Sequence, residues 1–324
     1  MRMDIREFFE EDEIYVKYDK EKGVKFSEFK KKHSLNAVEK ITAFHIGRFG
    51  KYLYLPLIFE VDEEWFYVSE LLRTDGHISK ELNHIKLTSV TNELKEKIRQ
   101  FFRRCGIGYI REKEYDRIVA YNKTLACILV KIFEIPAGNK TFICTMPKWM
   151  KHANLKLLAC ALRGAFDGDG CVQLTKSKRK TGGDTKRIRL YGASTRYLHD
   201  IKECLMRFNI NSKIFKDARK NKTYFLQISR RDDIRKFAKK INFNHPKRRR
   251  KLSWVIKSYG NYYFLWEFEK IVIKILKRDG PMTIKELSNR INRKDSTVSE
   301  QITKLEKGNR IKTKRIGIRR IVFI

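Results

Sequence analysis

The chain repeats one nonapeptide pattern, and this repeat constrains its fold more than any other feature. The copies are Val68–Gly76 and Leu162–Gly170, each an apolar run ending in Asp-Gly, so that Asp75 and Asp169 lie 94 positions apart. The glycine after each Asp predicts a residue in the left-handed helical region that ends a helix. Each carboxylate then lies at the negative end of a helix dipole, which disfavours it by about 0.3–1 kcal/mol. Two such aspartates at equivalent positions indicate a cation held between them.

The segments that follow the two motifs match as well. Alternating and helical periodicities predict a strand and then a helix in each half, His84–Thr88 with Glu93–Arg104 and Arg187–Tyr191 with Thr195–Phe208. Gly106 ends the first of these helices and Asn209 the second, and both residue types tolerate the left-handed conformation. The sequence therefore predicts an internal duplication of one α/β unit.

A different pattern follows the basic run at residues 246–251. It predicts a helix at Trp266–Lys277, a second helix opened by a capping box at Thr283–Glu286, and a third helix capped by Ser296. Two strands at 311–315 and 319–323 flank Gly317. Three short helices and a hairpin indicate a winged helix-turn-helix. In that fold the outward residues of the third helix, Thr297, Glu300, Thr303 and Lys304, face a DNA groove.

Composition limits the partners. The formal net charge is +35, which indicates a polyanionic partner, and nucleic acid is the usual one. No apolar run is long enough to span a bilayer, and the acidic start of the chain lacks a signal-peptide core. The six cysteines show no zinc-ligand spacing and are expected to be small buried residues in a reducing compartment. We expect a cytoplasmic, nucleoid-associated protein from a prokaryote or archaeon.

The two motifs resemble those of the LAGLIDADG homing endonucleases. The second copy with its lead-in, Leu157–Gly170, is a close match, and Pro136–Lys140 and Met146–Trp149 resemble the dodecapeptide branch of that family. The resemblance covers about residues 50–252. It implies an α+β fold in which two pseudo-twofold related units form a DNA-binding saddle, followed here by the winged helix domain. The predicted segments are 1–58 of uncertain fold, 59–148 and 149–247 as the two units, 248–264 as a basic linker, and 265–324.

The resemblance also implies the chemistry. In that family the Asp at the eighth motif position of each copy binds divalent metal, which assigns Asp75 and Asp169 as catalytic metal ligands for Mg²⁺, with Mn²⁺ as an expected substitute. Phosphodiester hydrolysis needs an activated water and a stabilised leaving oxygen, and carboxylate-held Mg²⁺ supplies both. Each half of a family member also has a lysine near the metals. The matching settings here are Lys140 in Gly-Asn-Lys and Lys247 in His-Pro-Lys.

Contacts with double-stranded DNA are expected from the polar faces of the strands and from one loop. The strand residues are Lys86 in the first half and Arg187, Arg189 and Tyr191 in the second, and the loop residues are Lys178, Arg179 and Lys180. Lysine and arginine give a salt-dependent phosphate term, and those that reach base edges read sequence.

One residue departs from the family pattern. The second helix has small residues at Ala161, Gly164, Ala165 and Gly168, whereas the first has Glu70 where the family prefers Gly. Buried there, its charge would oppose close packing. The helices could sit further apart, Glu70 could turn outward, or this half could have lost its catalytic role.

These features favour a monomeric, site-specific double-strand DNA endonuclease. Two alternatives are a non-cleaving transcription regulator, because some LAGLIDADG proteins fused to a helix-turn-helix have lost catalysis, and an intron RNA maturase. The family also occurs within inteins, but the ends of the chain lack splicing residues, so that a free-standing or intron-encoded enzyme is expected.

Overall fold

A computed structural model describes residues 1–18, 23–33, 35–48, 50–88, 91–108, 110–113, 117–175, 185–218, 223–259, 265–291 and 293–324. The chain divides into two compact units, Met1–Ser253 and Trp254–Ile324. None of the helices among the described residues is long and apolar enough to cross a membrane.

The N-terminal segment, which the sequence leaves without a clear fold, contains a small antiparallel sheet of order β3-β2-β4, while β1 pairs with β5. Alternation in β2 buries Ile14 and Val16, and α1 buries Phe26 and Phe29. The Ile46 amide donates to Thr124 Oγ1, which joins this sheet to the first repeated unit. The elements are β1 (Arg2–Asp4), β2 (Ile14–Tyr18), β3 (Val24–Lys25), α1 (Phe26–Lys32), β4 (Ile41–Ile46) and β5 (Ile58–Glu60).

The first repeated unit is a helix followed by an antiparallel sheet of order β6-β7-β9-β8 with two further helices. Residues Trp65 to Arg73 of its first helix are all buried, as expected for a helix that is apolar on most sides. The elements are α2 (Glu63–Asp75), β6 (Gly76–Ile78), β7 (Ile85–Leu87), α3 (Asn92–Arg104), β8 (Ile110–Lys113), β9 (Arg117–Ala120) and α4 (Lys123–Lys131).

The second unit repeats this series, with the sheet order β10-β11-β13-β12. Gly76 pairs with Leu87 in the first sheet, and Gly170 pairs with Leu190 in the second. The predicted duplication is therefore confirmed, down to the register of the first strand pair. The elements are α5 (Lys148–His152), α6 (Leu155–Asp169), β10 (Gly170–Thr175), β11 (Thr185–Gly192), α7 (Thr195–Met206), β12 (Lys213–Lys216), β13 (Tyr224–Ile228), α8 (Arg231–Lys240) and α9 (Pro246–Lys257).

Helix α9 corrects the predicted linker. The interval 248–264 was expected to be a basic connector, but its first ten residues are helical. Leu252 and Val255 are buried, because an i, i+3 apolar pair places them on one side of a helix whose other sides are basic. Residues 260–264 of the interval lie outside the described part of the chain.

Helix ends follow the predictions in part. The Asp62 side chain accepts from the amides of Glu64 and Trp65, and that of Asn154 accepts from the Leu157 amide, so that both act as N-caps. Gly106 and Asn209 have φ of 77° and 57°, which confirms the left-handed ends of α3 and α7.

The prediction for Gly76 and Gly170 is wrong, because both are extended, with φ of −85° and −82°. Glycine is required there for space. An added Cβ would lie 2.5 Å from the Leu72 carbonyl oxygen at position 76 and would overlap the Phe166 carbonyl oxygen at position 170. The chain turns from helix directly into strand β6 or β10, and a side chain would meet the last helical turn.

The C-terminal unit has the predicted three helices and hairpin. The capping box is confirmed, since the Thr283 amide donates to Glu286 and the Glu286 amide donates to Thr283 Oγ1. The third helix begins at Asp295, so that Ser296 lies inside its first turn and is not its cap. The elements are α10 (Leu265–Asp279), β14 (Met282–Thr283), α11 (Ile284–Ile291), α12 (Asp295–Lys307), β15 (Lys312–Ile316) and β16 (Arg319–Phe323).

Candidate active site and nucleic-acid interface

The two motif helices, α2 and α6, pack in close backbone contact. A Cβ added to Gly164 would overlap the Tyr67 carbonyl oxygen and lie 3.1 Å from the Leu71 amide nitrogen. A Cβ added to Gly168 would overlap the Thr74 side chain. The small residues of α6 therefore admit the backbone of α2, and the first alternative raised by Glu70, a wider helix spacing, does not apply at this seam.

The catalytic candidates Asp75 and Asp169 lie at the last residues of these two helices and are half-buried. Neither carboxylate accepts a hydrogen bond from any residue that the structure describes. Burial, together with the negative charge of Asp75, raises the pKa of Asp169 to about 6. Burial also raises the pKa of Asp75. The structure thus brings the two carboxylates close enough to repel each other, with their oxygens unpartnered.

Lys140 is brought to this pair. Its Nζ donates to the Leu72 carbonyl oxygen at 2.6 Å, in the last turn of α2. Burial lowers the pKa of Lys140 to about 8, against the opposing influence of Asp169 and Asp75. The ammonium group is therefore fixed beside both carboxylates without forming a hydrogen bond to either among the described residues.

In the second half the cation beside the pair is Arg248. Its Nη1 donates to the Phe166 carbonyl oxygen at 2.9 Å and also to the Asp167 carbonyl oxygen, in the last turn of α6. The charge of Arg248 opposes the burial-driven rise in the pKa of both Asp75 and Asp169. The predicted Lys247 is exposed, and no described contact joins it to either aspartate.

The Glu70 side chain does not turn outward, and its negative charge is compensated inside the protein. Its side chain is fully buried, and its two oxygens accept from Arg73 Nε and from the Tyr197 hydroxyl, both at 2.7 Å. Tyr197 belongs to α7 of the second unit, so that this network joins the two halves. Arg73 also donates to the carbonyl oxygens of Phe133 and Glu134, which precede the loop that carries Lys140.

Asp167 occupies the motif position equivalent to Arg73, two residues before the candidate metal ligand. It is buried, and it accepts from the amides of Asn244 and His245 at 3.0 Å. Its carboxylate also accepts from the hydroxyl of Tyr67, in the first half, at 2.9 Å. The segment that it holds leads into α9 and Arg248. Each half therefore anchors the loop that delivers its cation from the same point of its motif helix.

The predicted DNA-facing strand residues share the polar faces of the two sheets. In β11, Ile188 and Leu190 are buried, while Arg187, Arg189 and Tyr191 are half-buried on the opposite face. The Arg189 guanidinium lies 4.1 Å from the centroid of the Phe225 ring and donates to Gln227. In the first sheet Lys86 pairs with His77 across the strands, as predicted for the polar face of β7. Lys178, Arg179 and Lys180 lie outside the described residues.

In the winged helix domain, the four predicted residues of α12 differ in their described contacts. Lys304 is exposed and paired with Glu300 at 2.8 Å. Thr297 is half-buried on α12. The Thr303 hydroxyl donates to the Ser299 carbonyl and accepts from Arg320 of the wing, so that it fixes the wing against α12.

Sequence reasoning missed Arg248, Arg73 and Asp167. Arg248 stands in the run Lys-Arg-Arg-Arg-Lys, where residue type singles out no member. The only available signal for the other two was their equivalent position in the two motifs. Among the described residues no group of three or more His, Cys, Asp or Glu side chains could hold a metal ion.

Comparisons with known proteins agree with this architecture. Residues 156–242 match the LAGLIDADG-like domain family, and residues 267–312 match the winged helix-turn-helix DNA-binding family. Both predicted domain types are thereby confirmed, and the chain carries a LAGLIDADG-like domain joined to a winged helix-turn-helix.

Similar curated proteins come from archaea. The chain is 29% identical over 252 residues to the probable translation initiation factor IF-2 of Methanocaldococcus jannaschii. The match covers 74% of this chain and 20% of that protein. It is 25% identical to the replication factor C small subunit of the same organism. That match covers 90% of this chain and 17% of that protein. The chain thus spans about a fifth of the length of these relatives.

Solved structures with similar folds include the homing endonuclease I-DmoI in complex with DNA and calcium. The identity is 16%, the match covers 55% of this chain and 88% of that one, and the TM-score is 0.40. Full-length DUF199/WhiA from Thermotoga maritima is 15% identical, with 76% of this chain and 92% of that chain covered and a TM-score of 0.40.

Proposed function

We propose that this protein is a site-specific double-strand DNA endonuclease that hydrolyses phosphodiesters with a divalent metal ion. The observation that supports this most directly is the carboxylate pair Asp75 and Asp169. Lys140 and Arg248 compensate these two carboxylates only in part, because the pKa of Asp169 still rises to about 6, and a divalent cation would supply the remaining positive charge.

The residues present fit a hard divalent cation. Asp75 and Asp169 offer oxygen ligands, which Mg²⁺ prefers, and Mn²⁺ accepts the same ligand type. Mg²⁺ commonly keeps several waters and takes only one or two carboxylates together with substrate phosphates, so that a pair of protein ligands suffices. When bound, such an ion supplies activation of water and neutralisation of phosphate charge.

Lys140 carries the remaining charge stabilisation in the first half. Its ammonium is held in place by the Leu72 carbonyl, so that no reorganisation is needed when negative charge develops on the phosphate. Lys247 was predicted for the same role in the second half, but its exposed side chain gives that assignment no support.

The proposed DNA contacts lie on the polar faces of the two sheets and, in the separate C-terminal unit, on the winged helix. Arg187, Arg189 and Tyr191 are proposed contacts in the second half and Lys86 in the first, with Thr297 and Lys304 on the recognition helix. The net charge of +35 supports a strong phosphate term that weakens with salt. Double-stranded DNA is accordingly the proposed partner, and the protein is proposed to act as a monomer.

The test is a cleavage selection. A library of random duplexes is incubated with the protein and Mg²⁺, and the new ends are sequenced, with Asp75→Asn and Asp169→Asn as matched variants. We expect staggered cuts at one shared sequence, absent from both variants.

Retention of one sequence on the protein without new ends would replace the nuclease with a DNA-binding regulator. Preferential retention of folded RNA over duplex DNA in a competition would favour the maturase alternative.

A further inference from the structure

The two cations beside the carboxylate pair occupy equivalent places. Lys140 donates to the carbonyl of Leu72, and Arg248 donates to the carbonyl of Phe166. Leu72 and Phe166 lie at the same motif position, three residues before Asp75 and Asp169 respectively. Each cation is therefore fixed to the end of its own motif helix by a backbone carbonyl group at the equivalent position.

The two cations also act on the same charges. Both hydrogen bonds lie in the last helical turn before an aspartate, so that the two positive charges stand beside the same pair of carboxylates. Lys247, one residue earlier on α9, is exposed, and no described contact joins it to either carboxylate. A step of one residue rotates a side chain by about 100° around a helix, so adjacent basic residues cannot both face the carboxylates.

Arg248 keeps hydrogen-bonding capacity after its contacts within the protein. Nη1 donates to the Phe166 and Asp167 carbonyls, whereas Nη2 and Nε make no hydrogen bond to any residue that the structure describes. A guanidinium has five N–H groups in a planar fork, and the fork matches two phosphate oxygens. The unused donors are thus available for a phosphate bound at the carboxylate pair.

We propose that Arg248, and not Lys247, is the second-half catalytic cation, and that its free N–H groups bind the phosphate of one of the two strands cut at the carboxylate pair, while Lys140 serves the other strand. This inference rests on the proposed endonuclease function. The two strands of a duplex are themselves related by twofold symmetry, and a pseudo-twofold protein presents one half to each strand. Lys140 consequently serves one strand as a single ammonium, and Arg248 serves the other as a bidentate fork.

The test is strand-resolved, single-turnover cleavage of the selected duplex, with a different dye on each strand. Arg248→Met is expected to slow one strand by about 100-fold, the loss typical of one preorganised charge donor, and the other strand by less than about 3-fold. Lys140→Met is expected to show the opposite preference. The matched control is Arg249→Met, an exposed arginine on the same helix, with both strand rates near those of the wild type.

Two further measurements separate catalysis from folding. Duplex binding in Ca²⁺ should stay within about 3-fold for Arg248→Met, because one phosphate contact among many is lost. Arg248→Lys keeps the charge but loses the fork, and it should slow the same strand by about 10-fold even if the methionine variant unfolds.

Wild-type rates on both strands in Arg248→Lys, or a strand-specific loss in Lys247→Met without one in Arg248→Lys, would overturn the assignment while the endonuclease stands. Absence of cleavage by the wild type itself would overturn the proposed function and this inference with it.

Discussion

In the first half a buried arginine donates to two loop carbonyls, and in the second half a buried aspartate accepts from two loop amides at the equivalent position. Arg73 needs Glu70 to compensate its charge, whereas Asp167 is satisfied by backbone amides and the Tyr67 hydroxyl. Both side chains tether the segment that leads to the cation of their half. A duplicated unit can therefore preserve a geometric role while the chemistry that performs it is reversed.

The first half should be the more fragile, because its anchor is an ion pair. Arg73→Leu leaves Glu70 buried with only the Tyr197 hydroxyl as partner, and we expect a loss of about 3–5 kcal/mol in the free energy of unfolding. Asp167→Ala leaves two amides unpaired and should cost about 2–3 kcal/mol. Urea denaturation measures both.

The control removes both charges of the buried Arg73–Glu70 ion pair. Arg73→Leu combined with Glu70→Leu should recover part of the loss, since no charge is then left buried. Equal destabilisation by the single and double variants would show that Glu70 is not the source of the fragility.

The helix seam offers a second comparison, because Gly164 of α6 faces the backbone of α2 whereas its first-half equivalent is Glu70. Gly164→Ala should destabilise the protein by about 1–3 kcal/mol, since its Cβ would overlap the immobile Tyr67 carbonyl oxygen. Gly192→Ala is the matched control, because its Cβ would meet Leu198 only at 3.5 Å. Thermal unfolding that ranks the two variants equally would contradict the close approach at the seam.

Removing one charge of the carboxylate pair should have the smallest effect on stability, and it should stabilise the protein, whereas the substitutions above destabilise it. The pKa of Asp169 is raised to about 6 by burial and by Asp75, above its value in the unfolded chain. The folded state then keeps a proton that the unfolded state releases, so that the fold loses stability as pH rises from about 4 to 6. Asp169→Asn should therefore stabilise the metal-free protein at pH 7 by about 1–2 kcal/mol, after allowance for partial exposure.

The gain should vanish only as pH falls well below 3.8, where Asp169 is protonated in both the folded and the unfolded state. Asp75→Asn should also stabilise the metal-free protein, because burial raises the pKa of Asp75 and the substitution removes the repulsion between the two carboxylates. Millimolar Mg²⁺ should stabilise the wild type but neither variant. A calorimetric series from about pH 3 to 7 checks the sign, and an Asp169→Asn variant less stable than the wild type at pH 7 would refute it.

Periodicity predicted most of the fold. The alternation at 187–191 identified the buried and polar faces of β11, and the end of each motif helix placed Asp75 and Asp169 together. These patterns are local, so that they can be read from a single sequence.

The missed residues depend on geometry that one sequence does not record. Which basic residue of α9 lies beside the carboxylates depends on the rotation of the helix about its axis. The five consecutive basic residues 247–251 cannot be told apart by residue type. Glu70 gains its partner Tyr197 from 127 positions away, so that its burial could not be read locally. Gly76 and Gly170 were assigned to a backbone conformation when the actual constraint is steric.

The seam between the two motif helices is asymmetric. At Gly164 the backbone of α2 approaches more closely than a Cβ allows, whereas the equivalent first-half residue is Glu70. Two copies of the first helix in the same arrangement would set the Glu70 side chain against the Tyr67 backbone, where there is no room for it. Two copies of the second would set Ala161 against Gly164, and both are small. The seam therefore pairs one helix of small residues with one of large residues, and a single chain that carries both helices supplies that pairing within one molecule.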